Sequence, residues 1–290
     1  MTNAGGHPAF FDLPPELSDA SEAAAAILPV AYDATCSWMR GSANGPAAIL
    51  DASQYVELYD IETASEPYRK GITALPAIEF DGPPEELAEM VQARTAEILE
   101  RDQLPIILGG EHSVTIGAVR AAADRYDGLS VLQIDAHADT REEYHGSSHN
   151  HACVMARVRE RCPIVQVGIR AVDTEEMKGL DGERVFWAHE IVGERDRSWM
   201  DRVVELLTDD VYVTIDVDGF DPSIIPATGT PEPGGLSWYE VNDLLRRVAE
   251  RKRVRGFDVV ELLPSDAHPA SAFTAANLVY RFLAEICKGE

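Results

Sequence analysis

The chain has little basic charge for its size. Across 290 residues, 25 lysines and arginines stand against 50 aspartates and glutamates, a formal net charge of −25. That balance excludes nucleic acid as a partner, because phosphate backbones need a basic surface. Cysteine is scarce too. Cys36, Cys153, Cys162 and Cys287 form no CxxC pair, so their spacing offers no zinc site. Reduced thiols in a cytoplasmic setting are the expectation. No window reaches ~18 consecutive apolar residues, so no membrane-spanning helix and no membrane partner are expected. Residues 1–11 lack the basic flank and apolar core of a secretory signal. The acidic excess suits a small cationic substrate, whose approach a negative field favours. A hydrated acidic surface, as in adaptation to high salt, is the plainer account.

The length fits one large α/β unit, and no second compositional regime interrupts it. We therefore expect a single domain over 1–290, with an acidic, proline-containing lead-in over 1–22. Apolar runs at 23–30, 105–108, 129–134, 164–167, 184–187, 211–215 and 254–260 read as strands, and residues 55–61 alternate like another. Helical spacing appears at 83–101, 113–126, 151–160, 198–207, 237–251 and 268–286, and Pro46 marks a helix starting near Gly45. Unbroken apolar strands alternating with helices predict a mostly parallel sheet covered on both faces.

Three polar clusters follow three of these strands, where a parallel sheet opens its ligand crevice. The first is Gly109-Gly110-Glu111-His112-Ser113. The second is Asp135-Ala136-His137-Ala138-Asp139, whose polar residues at i, i+2 and i+4 share one face of an extended chain. The third, Asp216-Val217-Asp218, repeats the i, i+2 spacing, and Asp221 after it reads as a turn residue. Burying so many carboxylates together is costly without a cation. Four carboxylates and two imidazoles exceed the needs of one structural zinc. They suit a pair of Mn-like divalent ions about 3.5–4 Å apart, able to share a water and lower its pKa. Zn, Fe, Co and Ni fit the same ligand types.

These motifs resemble the signatures of the ureohydrolase (arginase/agmatinase) family, in the family's order: Gly-Gly-Glu-His-Ser at 109–113, Asp-Ala-His-Ala-Asp at 135–139 and Ile-Asp-Val-Asp-Gly-Phe-Asp-Pro at 215–222. Gly229-Thr230-Pro231-Glu232-Pro233-Gly234-Gly235-Leu236 is similar as well, and its Pro-Glu-Pro leans toward agmatinases. The resemblance runs from about residue 25 to the C-terminus. It implies a three-layer α/β/α sandwich with a central sheet of about eight strands, two Mn2+ per chain, and a homo-oligomer, trimer or hexamer. His112, Asp135, Asp139 and Asp216 would hold one ion, and His137 and Asp218 would complete the other, with Asp135 and Asp216 bridging. His151 would shuttle protons, although His145 and His149 lie nearby. Glu261 would receive the guanidinium, for which a carboxylate is the natural bidentate partner. Asp139 would orient the nucleophile and pass a proton to the leaving amine.

The implied reaction releases urea and a primary amine from agmatine or an aminopropyl-extended agmatine. The loop 140–149 lacks the asparagine-rich form of arginases; Glu142 or Glu143 could hold a distal ammonium, or Arg141 could instead salt-bridge within the loop, the plainer account. Guanidinobutyrate, arginine and guanidine are alternative substrates. A metal-bearing but silent subunit and a one-zinc deacetylase are the competing readings from other classes. The complete ligand set counts against the first. The second carboxylate pair and Glu261 count against the other.

Overall fold

The computed structural model describes residues 9–288. Of the expected lead-in, residues 1–8 lie outside the described residues; the rest holds one short helical turn, Pro15–Ser18.

Among the described residues, nine strands form one sheet: β1 (Ala25–Ala31), β2 (Ile72–Ala74), β3 (Ile78–Glu79), β4 (Leu104–Gly109), β5 (Ser130–Ile134), β6 (Ile164–Ile169), β7 (Val185–Trp187), β8 (Asp210–Asp216) and β9 (Arg253–Val260). Their order is β2-β1-β4-β9-β8-β5-β6-β7, with β3 also paired to β1. Every pairing is parallel. A parallel sheet needs crossover helices, and these cover both faces.

Alternation along the strands sorts side chains into two cores. In β4, Ile106 and Leu108 enter one core and Ile107 the other; in β1, Ala25 and Ile27 oppose Ala26, Leu28 and Val30. Helices Gly45–Ser53, Ser198–Leu206, Trp238–Arg251 and Ala270–Cys287 contribute to the first core. Helices Pro84–Glu100, Thr115–Arg125 and Val154–Arg159 contribute to the second. The result is the α/β/α sandwich the sequence predicts. Helix Trp238–Arg251 illustrates the local logic. Ser237 and Glu240 form a reciprocal capping box, and Val241, Leu244, Leu245 and Val248 bury one face. Each such aliphatic side chain contributes about 1.5–3 kcal/mol on burial.

The expected strand over 55–61 is not there. Tyr55, Tyr59 and Ile61 do point outward, but no neighbouring strand accepts the ladder. The backbone instead closes on itself, Asp60 N–H donating to Ser65 O (2.9 Å) and Ser65 N–H to Asp60 O. Tyr280 and Arg281 of the last helix tie the segment down through Leu58 O and the Asp60 carboxylate. Edge strands β2 and β3 carry too few residues to show a period and have no sequence counterpart.

Candidate metal centre and substrate cavity

Four adjacent strands, β4, β9, β8 and β5, bring the three polar clusters together at their carboxyl ends. On one face of β8 and β9, Thr214, Asp216 and Asp258 are buried polar residues between apolar neighbours.

Gly110 lets the β4 end turn close to β1: a Cβ there would stand 2.0 Å from Tyr32 O. Gly110 N–H donates to Val30 O and Glu111 N–H to Tyr32 O. His112 follows, fully buried, and its contacts assign its tautomer. Nε2 lies 2.9 Å from Thr214 Oγ1, and the Thr214 hydroxyl donates to Asp258 Oδ1 at 2.6 Å. The Thr115 and Tyr212 hydroxyls donate to Asp258 Oδ2. With its proton committed to Asp258, Thr214 accepts Nε2–H, so Nδ1 is the nitrogen that can offer a lone pair to a cation. Without a cation, burial is outweighed by Asp135 and Asp139, which hold the imidazole well above its ordinary range and favour a proton there. Nδ1 has no hydrogen-bond partner. It faces Asp139 Oδ2 at 3.0 Å, Asp135 Oδ2 at 3.2 Å and Asp216 Oδ2 at 3.6 Å.

Asp135 is central. Its Oδ2 faces His112, and its Oδ1 lies 3.7 Å from His137 Nδ1, which is 3.0 Å from Asp218 Oδ2. Two sets of mutually close donor atoms result: His112, Asp135 and Asp139; and Asp135, His137 and Asp218. Asp216 belongs to neither tight set, although its carboxylate borders His112. The one-face alternation expected over 135–139 and 216–218 is not the means of convergence. Asp139 adopts φ +51°, a left-handed conformation unusual for a non-glycine residue. Asp218 sits in the 3-10 turn Val217–Gly219. Ala136 and Ala138 are buried as expected.

This cluster fits divalent cations. Asp135, Asp139, Asp216 and Asp218 are buried, and among the described residues no lysine or arginine side chain hydrogen-bonds to their carboxylates; Arg170 reaches only the Asp218 backbone carbonyl, at 2.6 Å. Burial pushes Asp139 up to about 6 and Asp216 well above the carboxylate range, helped by neighbouring acids. Burial acts the same way on Asp135 but is outweighed by His112 and His137, which hold it low. On His137, burial is outweighed by Asp218 and Asp135, and the imidazole is pushed up to about 12. The site is thus arranged around positive charge.

A cavity of about 330 Å3 opens over the cluster, with His137, Asp139, Asp216 and Asp218 on its floor. Glu261 stands on one wall, also at positive φ (+65°), its Oε1 accepting His112 N–H at 2.7 Å. Burial drives its carboxyl well up, reinforced by Glu111. Of the three nearby histidines only His151 lines the cavity. His149 is held by Arg120 at 2.9 Å, and His145 packs on Tyr144. His151 is pushed down to about 4 by burial and by the charges of His112 and His137. Its Nδ1 meets Thr35 Oγ1 (3.1 Å) and its Nε2 meets Ser37 Oγ (2.9 Å).

The distal loop departs from expectation. Neither Glu142 nor Glu143 lines the cavity; Glu142 turns out to Arg157 and Arg159. The acids that line this side of the cavity are Asp173 and buried Glu176, which together cap a short helix. Arg141 lies 3.5 Å from Glu176 and 3.8 Å from Asp173, outside its own loop, and covers the Tyr144 ring at 4.7 Å. The Asp-x-x-Glu spacing at 173–176 was a capping signal available in the sequence. Asp221 does serve a turn, its carboxylate accepting from Ser223, Gly234 and Gly235.

A parallel α/β/α sandwich whose central strand ends gather buried carboxylates and imidazoles around a cavity defines a metal-dependent hydrolase. Comparison with known proteins makes the class specific: the arginase family model matches residues 23–284, and the chain belongs to that family, as an agmatinase-like hydrolase. It is 38% identical to an N(1)-aminopropylagmatine ureohydrolase of Synechocystis over 91% of this chain and 89% of the relative. It is 35% identical to an agmatinase of Pyrococcus horikoshii, covering 93% and 94% of the two chains. The solved agmatine ureohydrolase of Thermoplasma volcanium superposes with a TM-score of 0.85 at 31% identity, over 94% of this chain and 92% of the other. The family is metal-dependent and acts on small guanidino substrates. No helix among the described residues is long and apolar enough to cross a membrane.

Proposed function

We propose that this chain hydrolyses the guanidino carbon–nitrogen bond of agmatine or aminopropylagmatine, giving urea and a polyamine, with two Mn2+ in the strand-end cluster. The observation that carries the reading is Glu261: a half-buried carboxylate fixed on the cavity wall beside the cluster, where a guanidinium has its natural partner.

His112, Asp135, Asp139 and Asp216 would hold one ion; His137 and Asp218 would complete the second, with Asp135 and Asp216 shared. When bound, such ions supply Lewis acidity that makes water nucleophilic near neutral pH. The chain does the rest. Glu261, oriented by the His112 N–H, takes the guanidinium and aims its carbon at the floor. Asp139 takes the proton of the attacking water and hands it to the leaving amine; burial raises its proton affinity, which suits that exchange. His151, on the same cavity, exchanges protons with solvent.

A cationic tail is supported by Asp173 and Glu176, which line one side of the cavity, and by the names of the relatives. Arg141, on the same side, favours a second reading, a guanidino acid such as guanidinobutyrate. A urea-release screen of the Mn-loaded protein against agmatine, aminopropylagmatine, arginine, guanidinobutyrate and guanidine separates them. Greatest kcat/KM on a cationic tail supports the proposal; no urea from any compound refutes it. We place the protein in the cytoplasm as a homo-oligomer, trimer or hexamer, which light scattering after size exclusion would check.

A further inference from the structure

Thr35 lies on the loop after β1 and contacts both Glu111 and His151. Its N–H donates to Glu111 Oε2 at 2.7 Å, and its hydroxyl donates to Glu111 Oε1, which also takes the Ser113 hydroxyl at 2.6 Å. Glu111 is fully buried, and three donors converge on its carboxylate. The Thr35 oxygen has one proton and two lone pairs. The proton is committed to Glu111, so toward His151 the oxygen only accepts. It accepts the His151 backbone N–H at 3.1 Å and meets ring Nδ1 at 3.1 Å. Nδ1 must then carry hydrogen, since a bare Nδ1 would set lone pair against lone pair. Nε2 is left open, 2.9 Å from the hydroxyl of exposed Ser37.

We propose that Thr35 is a positioning residue: anchored on Glu111, it holds His151 as the Nδ1–H tautomer and turns the Nε2 lone pair toward Ser37 at the cavity rim. The arrangement places a hydroxyl between carboxylate and imidazole, where triad hydrolases place the carboxylate directly on Nδ1–H. Proton exchange then uses a single nitrogen. Nε2 gains and returns the proton, and Nδ1–H stays on Thr35. The catalytic consequence rests on the shuttle role proposed for His151; the tautomer does not.

The test is a 15N NMR experiment on full-length, substrate-free protein with 15N-labelled histidine, the His151 signals being identified by their loss in His151→Asn. The expected result is Nδ1–H in the unsubstituted protein, a shift toward a mixture or Nε2–H in Thr35→Val, and restoration in Thr35→Ser. In parallel, Thr35→Val should lower kcat on the order of 10-fold with KM unchanged, as loss of an orienting partner does, and Thr35→Ser should recover it. Nε2–H in the unsubstituted protein, or unchanged Nδ1–H in Thr35→Val, overturns the proposal; the first can be read even if the valine variant does not fold. Absence of urea from every guanidino compound would refute the function while leaving the tautomer result to stand or fall alone.

Discussion

Removing one charge from the cluster should abolish two metal sites, if Asp135 is what joins them. Its two oxygens face different imidazoles, His112 at 3.2 Å and His137 at 3.7 Å, and it belongs to both sets of close donor atoms. Asp218 belongs to one set only. An ion that binds the folded chain alone, at a hundred times its Kd, stabilises it by about 2.7 kcal/mol. A chain of this length unfolds with an entropy of roughly 0.6 kcal/mol/K. Each ion is then worth about 4–5 °C in Tm, and two together about 9 °C. Thermal unfolding of chelator-treated protein, with and without saturating Mn2+, should show the full rise. Asp135→Asn should lose nearly all of it, because its amide sets N–H donors toward one set and leaves the other only an uncharged carbonyl oxygen in place of a carboxylate. Asp218→Asn should keep about half. Metal analysis should fall in parallel, from near two ions per chain to near zero and near one. A full rise in Asp135→Asn, or none with any divalent ion in the unsubstituted protein, would refute the shared-carboxylate geometry.

Other outcomes follow from single contacts. Asp139→Asn should keep its fold but lose turnover by on the order of 10³-fold; near-normal urea release with full metal content would sink its assigned role. In metal-free protein, His151 should titrate near about 4 rather than near 6.5. The unfolded chain then binds more protons between those values, so stability falls as pH drops through that window, by as much as about 3 kcal/mol, and His151→Asn should flatten that part of the profile. An identical slope in both proteins would count against a buried neutral imidazole. Gly110→Ala should be among the most destabilising small substitutions, by about 3 kcal/mol or more, since its methyl meets backbone oxygen at 2.0 Å rather than a movable side chain. A melting temperature near that of the unsubstituted protein would contradict the close approach.

Much of the fold was legible because the parallel strands are buried on both faces and read as continuous apolar runs, while the helices keep a 3.6-residue rhythm. Residues 55–61 show the limit. Their alternation matches burial, with Val56 inside and Tyr55 outside, but a strand also needs a neighbour, and whether one stands there depends on the rest of the chain. The cluster was legible for a different reason. Each ligand pair sits directly after a recognisable strand, so local sequence already placed it at the crevice. The clustering itself depended on features no periodicity carries, the left-handed turn at Asp139 and the 3-10 turn at Asp218.

The residues that orient those ligands were illegible one at a time. Asp258 is a lone acid in an apolar strand, and Thr214 an unremarkable strand threonine; only the pairing of β8 with β9, Thr214 opposite Asp258, makes them a chain ending on His112. Thr35 and Glu111 are 76 positions apart and meet because β1 and β4 are neighbours. In both cases a buried carboxylate takes a threonine proton, and the threonine oxygen then accepts from an imidazole. The effect differs with the nitrogen contacted. Thr214 takes Nε2–H of His112 and leaves Nδ1 facing three carboxylates, as the proposed metal ligand would require. On our proposal, Thr35 takes Nδ1–H of His151 and leaves Nε2 bare toward the rim, as exchange with solvent would require. On the proposed roles, one device, set by strand order and applied to different ring nitrogens, separates the histidine that would bind a metal from the one that would move a proton.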